Sequence, residues 1–282
     1  MSSEFYSRAA GLAAQGKSFA IATIVRVYGS SSAKPGSKAI IDTDGNVAWG
    51  WVGGGCAESA VRSEALKCLE LETSEYITLD MTDELLGVGM PCGGKMDVYI
   101  EPVLPQPELL IVGHGRIAEV LTSIARLMSF SVTVNDPGAD RGSFPDATRL
   151  VTDDLDLAET PIGPRTFVVI ATLHKQDHRW LQKALEGNAL YVALIASRHR
   201  SKLVLDYLLA TGVPPEKVEK VWAPAGLDLG AATPEEIALS IVSQMVALRR
   251  GGSAKALAES EAVGDATAAD KVILQCETDG RP

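Results

Sequence analysis

The sequence is short of cysteine, of positive charge and of long apolar runs. Its four cysteines lie at irregular spacing, which argues against a disulfide framework and predicts a reducing cytoplasm as the compartment. Apolar runs such as residues 167–173 and 190–196 are far shorter than the ~18 residues of a spanning helix, so we expect no membrane insertion. The 26 basic residues are outnumbered by 36 acidic ones, and the net charge of −10 argues against nucleic acid as a partner.

The length of 282 residues and a cluster of prolines predict two domains and a tail. Pro102, Pro105 and Pro107 cannot continue a helix or a central strand, so we place the domain boundary among them. The predicted parts are residues 1–104, residues 105–250 and a flexible C-terminal tail at residues 251–282. Within this tail, residues 272–275 could still add an edge strand.

The predicted fold class is α/β, with an N-terminal α+β domain followed by a Rossmann-like domain. In the first domain we expect strands at residues 19–28, 38–42, 47–52, 76–79 and 96–101, and a helix at 57–71. In the second we expect strands at 109–112, 131–134, 149–151, 167–171, 190–194 and 218–222, and helices at 116–128, 177–186, 202–211 and 234–249. Strands that alternate with helices in this way predict parallel βαβ units and a doubly wound sheet.

A glycine-rich turn follows the first predicted strand of the second domain. Gly113, Gly115 and Ala118 form a G-x-G-x-x-A pattern between an apolar strand and an amphipathic helix. The first glycine permits a tight turn, the second lets a pyrophosphate approach the backbone, and the small third residue allows close packing. Asp136 comes 18 residues after Ala118, near the ~20-residue offset of an acid that binds ribose hydroxyls. The pattern predicts a nucleotide site at the helix N-terminus; the alternative is a turn retained only for packing.

Further polar residues follow the ends of predicted strands, where α/β sheets bind ligands. His114 and Arg116 in the turn could contact an anion, and Arg198, after a later strand, could bind phosphate. His174 and His178 are spaced i, i+4, which is compatible with a metal or proton-transfer site. For each of these residues the alternative is a solvated polar side chain.

Two cysteines are flanked by glycines. Cys56 follows Gly54 and Gly55 and precedes the predicted helix at 57–71, and Cys92 is followed by two more glycines. A helix N-terminus favours the thiolate, and the small neighbours give a ligand access, so both thiols could bind a soft metal or carry sulfur. The alternative for each is a small buried apolar residue, which is the interpretation we favour for Cys68 in mid-helix.

Together these motifs resemble the XdhC/CoxI family, to which CoxF-like proteins also belong. The resemblance covers most of the chain from about residue 21 to residue 251. It is carried by Gly29–Gly36, Gly53–Glu58, Cys92–Gly94, Val98–Pro102, the turn at Gly113, Ser197–Arg198 and Pro224–Ala238.

The resemblance implies an accessory protein that matures molybdenum hydroxylases such as xanthine or carbon monoxide dehydrogenase. Such a chaperone binds molybdenum cofactor, either molybdopterin or its cytosine dinucleotide form, and assists its sulfuration or insertion into an apo client enzyme. A sulfur donor protein and a homodimer are implied as partners. Cys56 and Cys92 would then face the molybdenum, sulfur or copper chemistry, and Gly113, Gly115 and Asp136 would bind the nucleotide.

Two other functions are compatible with the residues. One is an NAD(P)-dependent oxidoreductase, with NAD(P) at the glycine-rich turn and His174 or His178 as the catalytic residue. The other is a docking protein whose nucleotide-binding fold no longer binds a nucleotide.

Overall fold

The computed structural model describes residues 3–29, 31–80, 94–154, 156–158, 160–173, 176–259 and 272–275. These residues form two compact units that meet in the chain between Pro105 and Gln106, and the last strand belongs to the first unit. The predicted α/β fold class is confirmed: the first unit is built on a mainly antiparallel sheet, the second on a parallel one. Within the described part of the chain, no helix is long and apolar enough to cross a membrane.

The helices and strands are numbered in chain order. The helices are α1 (Ser3–Ala14), α2 (Cys56–Leu71), α3 (Arg116–Leu127), α4 (Asp177–Glu186), α5 (Arg198–Ala210), α6 (Pro215–Val218) and α7 (Pro234–Arg250). The strands are β1 (Phe19–Gly29), β2 (Lys38–Asp42), β3 (Val47–Gly50), β4 (Glu75–Asp80), β5 (Gly94–Val103), β6 (Glu108–Gly113), β7 (Ser131–Asn135), β8 (Arg149–Val151), β9 (Thr166–Ala171), β10 (Tyr191–Leu194), β11 (Val221–Trp222) and β12 (Val272–Gln275).

The sheet of the first unit has a helix on each face. Side chains alternate between the two faces of a strand, so neighbouring residues enter different cores. Val61, Ala65 and Cys68 of α2 pack against one face, and Phe5 of α1 packs against Phe19 on the other. The sheet therefore holds the N-terminus of α2, where Cys56 lies, against a fixed surface.

The strand β12 forms one edge of this first sheet. The strand order is β12-β4-β5-β1-β2-β3, and β12 runs parallel to β4 with Val272 opposite Ile77. Residues 272–275 thus form an edge strand, as the sequence allowed. Because β12 pairs with β4, the edge of β4 is covered and the short strand β12 becomes the edge of the sheet.

The second unit has the doubly wound arrangement that its alternating pattern predicts. Its parallel strands follow the order β11-β10-β9-β6-β7-β8, which is the strand order of a Rossmann fold. The helices α3 and α7 pack on one face of the sheet, and α4 and α5 pack on the other. The strand order reverses between β6 and β9, and ligands of such sheets bind at that point.

Three segments of the chain differ from the predicted elements. The helix α5 begins at Arg198 rather than at residue 202, because Ser197 caps it by accepting a hydrogen bond from the amide of Arg200. Of the strand predicted at residues 218–222 only the end is a strand, since Pro215 starts the short helix α6. The helix α1 has no predicted counterpart; it buries a single side chain, Phe5, so its apolar periodicity is weak.

The capping box of α7 gives a first testable prediction. Thr233 accepts a hydrogen bond from the amide of Glu236, and the Glu236 carboxylate accepts one from the amide of Thr233. Replacing Thr233 with alanine should lower the free energy of unfolding by about 1 kcal/mol, because one helix amide loses its acceptor. Urea unfolding followed by tryptophan fluorescence measures the change, with Thr73→Ala on an exposed turn as the matched control. Equal stability of the two variants would contradict the prediction.

Candidate functional site

The glycine-rich turn lies at the point where the strand order of the second sheet reverses. Gly113 ends β6 opposite Ala171, the last residue of β9. Its φ of 117° lies in a region that favours glycine, and a Cβ at this position would overlap the carbonyl oxygen of Ala171. Gly115, with a φ of 106°, is the N-cap of α3 and supplies no capping side chain, so the first amides of α3 are available to an anion.

A cleft of about 660 Å³ opens beside this turn. Its lining is mostly apolar and includes Leu173 after β9, Ile195 after β10, and Pro234 at the start of α7. The volume is within the ~300–1,000 Å³ typical of small-molecule sites. Leu173 has a φ of 51° and is 61% exposed as a residue, two features that the sequence did not predict. The cleft thus offers helix amides for an anion and an apolar wall for a ring.

The loop that follows β11 forms part of the cleft wall and is held by α7. The side-chain oxygen of Gln244 accepts hydrogen bonds from the Gly226 amide at 2.9 Å and from the Tyr191 hydroxyl at 2.6 Å. The Ala225 amide donates to the Leu194 carbonyl at 2.9 Å, which connects the loop to β10. Burial raises the pKa of Tyr191, so this hydroxyl stays a donor across the physiological range.

The structure brings His114 and Asp136 into contact. The Nδ1 atom of His114 lies 2.9 Å from Oδ1 of Asp136, and the same oxygen accepts a hydrogen bond from the Gly138 amide at 2.7 Å. The Asp136 side chain is 17% exposed and that of His114 is 40% exposed, and His114 lines the cleft. The predicted ribose acid therefore contacts a histidine of the turn that lines the cleft, whereas Asp136 itself does not line it.

The two arginines predicted to contact anions have carboxylates as neighbours. Arg116 pairs with Glu235 at 2.9 Å and with Glu119 at 3.5 Å, and the hydrogen bond to Glu235 raises the pKa of the guanidinium. Arg198, the first residue of α5, is 86% exposed and lies 3.6 Å from a carboxylate oxygen of Asp228. An anion would have to compete with these acids for either arginine.

Of the histidines proposed for an oxidoreductase, His178 packs against another side chain. Its ring contacts Tyr207 edge-on, with ring centroids 4.7 Å apart, where α4 meets α5. Its neighbour Asp177 is buried and binds Arg200 at 2.8 Å, which ties the starts of the same two helices together. His174 lies outside the described residues.

The predicted glycine–cysteine turn lies in the first unit. Cys56 is the first residue of α2, and the N-cap residue Gly55 leaves the helix without a side-chain cap. Among the described residues, no atom lies within 4 Å of a Cβ placed at Gly54 or Gly55. A Cβ at Gly53 would lie 3.6 Å from the terminal methyl of Met96 near the start of β5. With respect to the described residues, which exclude 81–93, the turn is thus open on one side and packed against β5 on the other.

The remaining cysteines differ in their placement. Cys68 is fully buried in the core under α2, as predicted, and burial raises the pKa of its thiol to about 11. Cys92 lies outside the described residues, four positions before Met96 in the sequence. Within the described part of the chain, no group of three or more His, Cys, Asp or Glu residues could hold a metal ion.

The curated relatives differ in how much of their length they share with this chain. The chain is 31% identical over 251 residues to the uncharacterized protein YqeB of Escherichia coli (strain K12), covering 86% of this chain and 46% of that protein. It is 32% identical over 160 residues to a probable xanthine dehydrogenase subunit of Bacillus subtilis (strain 168), covering 55% of this chain and 46% of that subunit. It therefore spans less than half the length of both.

A third relative matches along most of both chains. The molybdenum cofactor insertion chaperone PaoD of Escherichia coli (strain K12) is 22% identical over 272 residues, covering 83% of this chain and 84% of PaoD. Residues 12–80 match the XdhC and CoxI family, and residues 109–245 match the XdhC Rossmann domain. These matches include both the glycine–cysteine turn and the glycine-rich turn. The chain belongs to the XdhC and CoxI family.

Proposed function

We propose that this protein is a maturation factor for a molybdenum hydroxylase, and that it binds molybdenum cofactor as cargo and assists its insertion into the apo enzyme. The observation that carries the proposal is the glycine–cysteine turn at the uncapped N-terminus of α2, in a chain of this family. The name of the relative PaoD, which is similar along most of its length, supports the same function.

Cys56 is the proposed contact for the soft end of the cargo. A molybdenum–dithiolene group, or a sulfur atom in transfer, requires a thiolate with little steric cover. Cys56 begins a 16-residue helix whose first amides have no side-chain cap, and the dipole of such a helix favours the thiolate. Cys92 is only four residues from Met96, which packs beside the turn. At ~3.6 Å per residue, this segment keeps Cys92 within about 14 Å of Met96, so we include it in the same site.

The cleft of the second unit is the proposed site for the nucleotide part of the cargo. Its volume of about 660 Å³ and its apolar wall suit a nucleotide, and the uncapped amides of α3 suit a pyrophosphate. We therefore propose the cytosine dinucleotide form as the preferred cargo over molybdopterin alone. We also propose that the protein acts in the cytoplasm, that a sulfur donor protein is a partner, and that the chain forms a homodimer.

The test is client maturation in a host that lacks its own member of this family. The full chain is coexpressed with a candidate apo molybdenum hydroxylase, and the activity, molybdenum content and cyanide-labile sulfur of the purified client are measured. We expect the wild type to raise all three and Cys56→Ala to lower the gain about tenfold or more, as the loss of a metal-site group does.

Cys68→Ala is the matched control, since it removes a thiol from the same helix but from its buried side. It should leave maturation intact apart from a modest loss of stability. Full client activity with Cys56→Ala would remove Cys56 from the mechanism. No gain with the wild type across clients would contradict the function itself.

A further inference from the structure

The contact between Asp136 and His114 fixes which ring nitrogen carries the hydrogen. An ionised carboxylate can only accept hydrogen bonds, so Nδ1 of His114 must be the donor across the 2.9 Å contact. In the neutral ring Nε2 is then unprotonated and acts as an acceptor. Nε2 lies on the edge of the ring away from Nδ1, and the ring lines the cleft.

Oδ1 of Asp136 is already engaged by two donors. It accepts from the Gly138 amide at 2.7 Å as well as from His114, and a Cβ at position 138 would lie only 3.2 Å from this oxygen. The backbone at Gly138 therefore covers the carboxylate from one side. A ligand that enters the cleft meets the more exposed His114 ring, at 40%, before the Asp136 carboxylate, at 17%.

We propose that Asp136 is a positioning residue for His114, and that Nε2 of His114 accepts a hydrogen bond from a ribose hydroxyl of the bound nucleotide. This inference rests on the proposed function, which assigns a nucleotide to the cleft. Phosphate oxygens are themselves acceptors, so they suit the amides of α3 and not an unprotonated Nε2. A hydroxyl is a donor and matches the nitrogen that Asp136 leaves open.

The tautomer of His114 can be measured without any nucleotide. In ¹⁵N spectra of the full chain with labelled histidine, His114→Gln identifies the resonance of this residue among the four histidines. Under conditions where the ring is neutral, we expect the wild type to show the Nδ1–H tautomer and Asp136→Ala to shift it toward Nε2–H. An Nε2–H tautomer in the wild type would overturn the positioning role of Asp136.

The hydroxyl contact is tested by titrating the full chain with cytidine diphosphate and with its 2′,3′-dideoxy analogue. The wild type should bind cytidine diphosphate about tenfold more tightly than the dideoxy analogue. A tenfold difference in affinity corresponds to one hydrogen bond at the upper end of its usual free energy. His114→Ala and Asp136→Ala should each lose this preference, and the double variant should lose no more than either single one, since the two residues act as a unit. His199→Ala, on an exposed face of α5, is the matched control and should keep the preference.

Two results would overturn the inference and leave the proposed function in place. One is a hydroxyl preference that survives His114→Ala but not Asp136→Ala, because Asp136 would then contact the ribose itself. The other is an additive loss in the double variant, because the residues would then act independently. If the wild type bound neither compound, the nucleotide site of the proposed function would fail, and the hydroxyl contact with it.

Discussion

Replacing Gly113 with alanine should unfold or severely destabilise the second unit and abolish nucleotide binding in its cleft. The φ of 117° alone costs a residue with a side chain about 1–3 kcal/mol. The added Cβ would also overlap the carbonyl oxygen of Ala171, and a strand end cannot move as a flexible side chain can. We expect a total loss of about 3 kcal/mol or more in the free energy of unfolding, measured by urea titration.

Gly115→Ala is the matched control for this substitution. Gly115 has a similar φ of 106°, but the nearest atoms to its added Cβ are Leu173 methyls at 3.9 Å, an ordinary contact distance. It should therefore show only the backbone strain, about 1–3 kcal/mol, without the added cost of the overlap. If the two alanine variants were equally stable, the close approach of Gly113 to β9 would not be the reason for glycine there.

The second large effect is expected from Arg200→Met. The Nε and Nη2 atoms of Arg200 both lie 2.8 Å from Oδ2 of Asp177, and the Thr172 hydroxyl donates to the other carboxylate oxygen. The Asp177 side chain is 3% exposed, so removing the guanidinium leaves a buried charge without its ion-pair partner. We expect a loss of about 2–3 kcal/mol, below the full cost of a buried pair because Arg200 is itself one-third exposed.

Arg198→Met, two residues earlier in α5, provides the comparison. Arg198 is 86% exposed and its pair with Asp228 is 3.6 Å long, so its loss should change the free energy of unfolding by less than about 0.5 kcal/mol. Adding Asp177→Asn to Arg200→Met should recover part of the stability, because it removes the stranded charge. If Arg200→Met were as stable as Arg198→Met, the buried ion pair would contribute nothing to the free energy of unfolding.

The parallel strands were predictable because each is a short apolar run with turn residues on both sides. The strand predicted at 149–151 and the helix predicted at 177–186 have the observed bounds, and the other parallel strands, apart from the one predicted at 218–222, differ by one or two residues. Such patterns are local, so one stretch of sequence contains the whole signal. The prediction placed the start of α5 four residues too late, although serine is a strong N-cap and Ser197 precedes the helix.

Contacts within the site depend on parts of the chain that are far apart, and the sequence did not predict them. Arg116 was expected to be available to an anion, but Glu235, 119 residues away in the chain, lies 2.9 Å from it. The contact of His114 with Asp136 needs β7 beside β6, which places two separate strand ends together. The sequence predicted these residues as candidate site residues, whereas their pairings follow only from the folded chain.

The edge strand β12 has a consequence for the order in which the protein folds. Its partner β4 lies in the first third of the chain, yet β12 is synthesised after the whole of the second unit. On the ribosome, the first sheet therefore keeps an open edge along β4 while the second sheet is made. Strand pairs so distant in sequence form slowly, and an open edge can pair with other chains. The edge of β4 thus stays exposed until late in synthesis, and it is covered only when residues 272–275 reach β4.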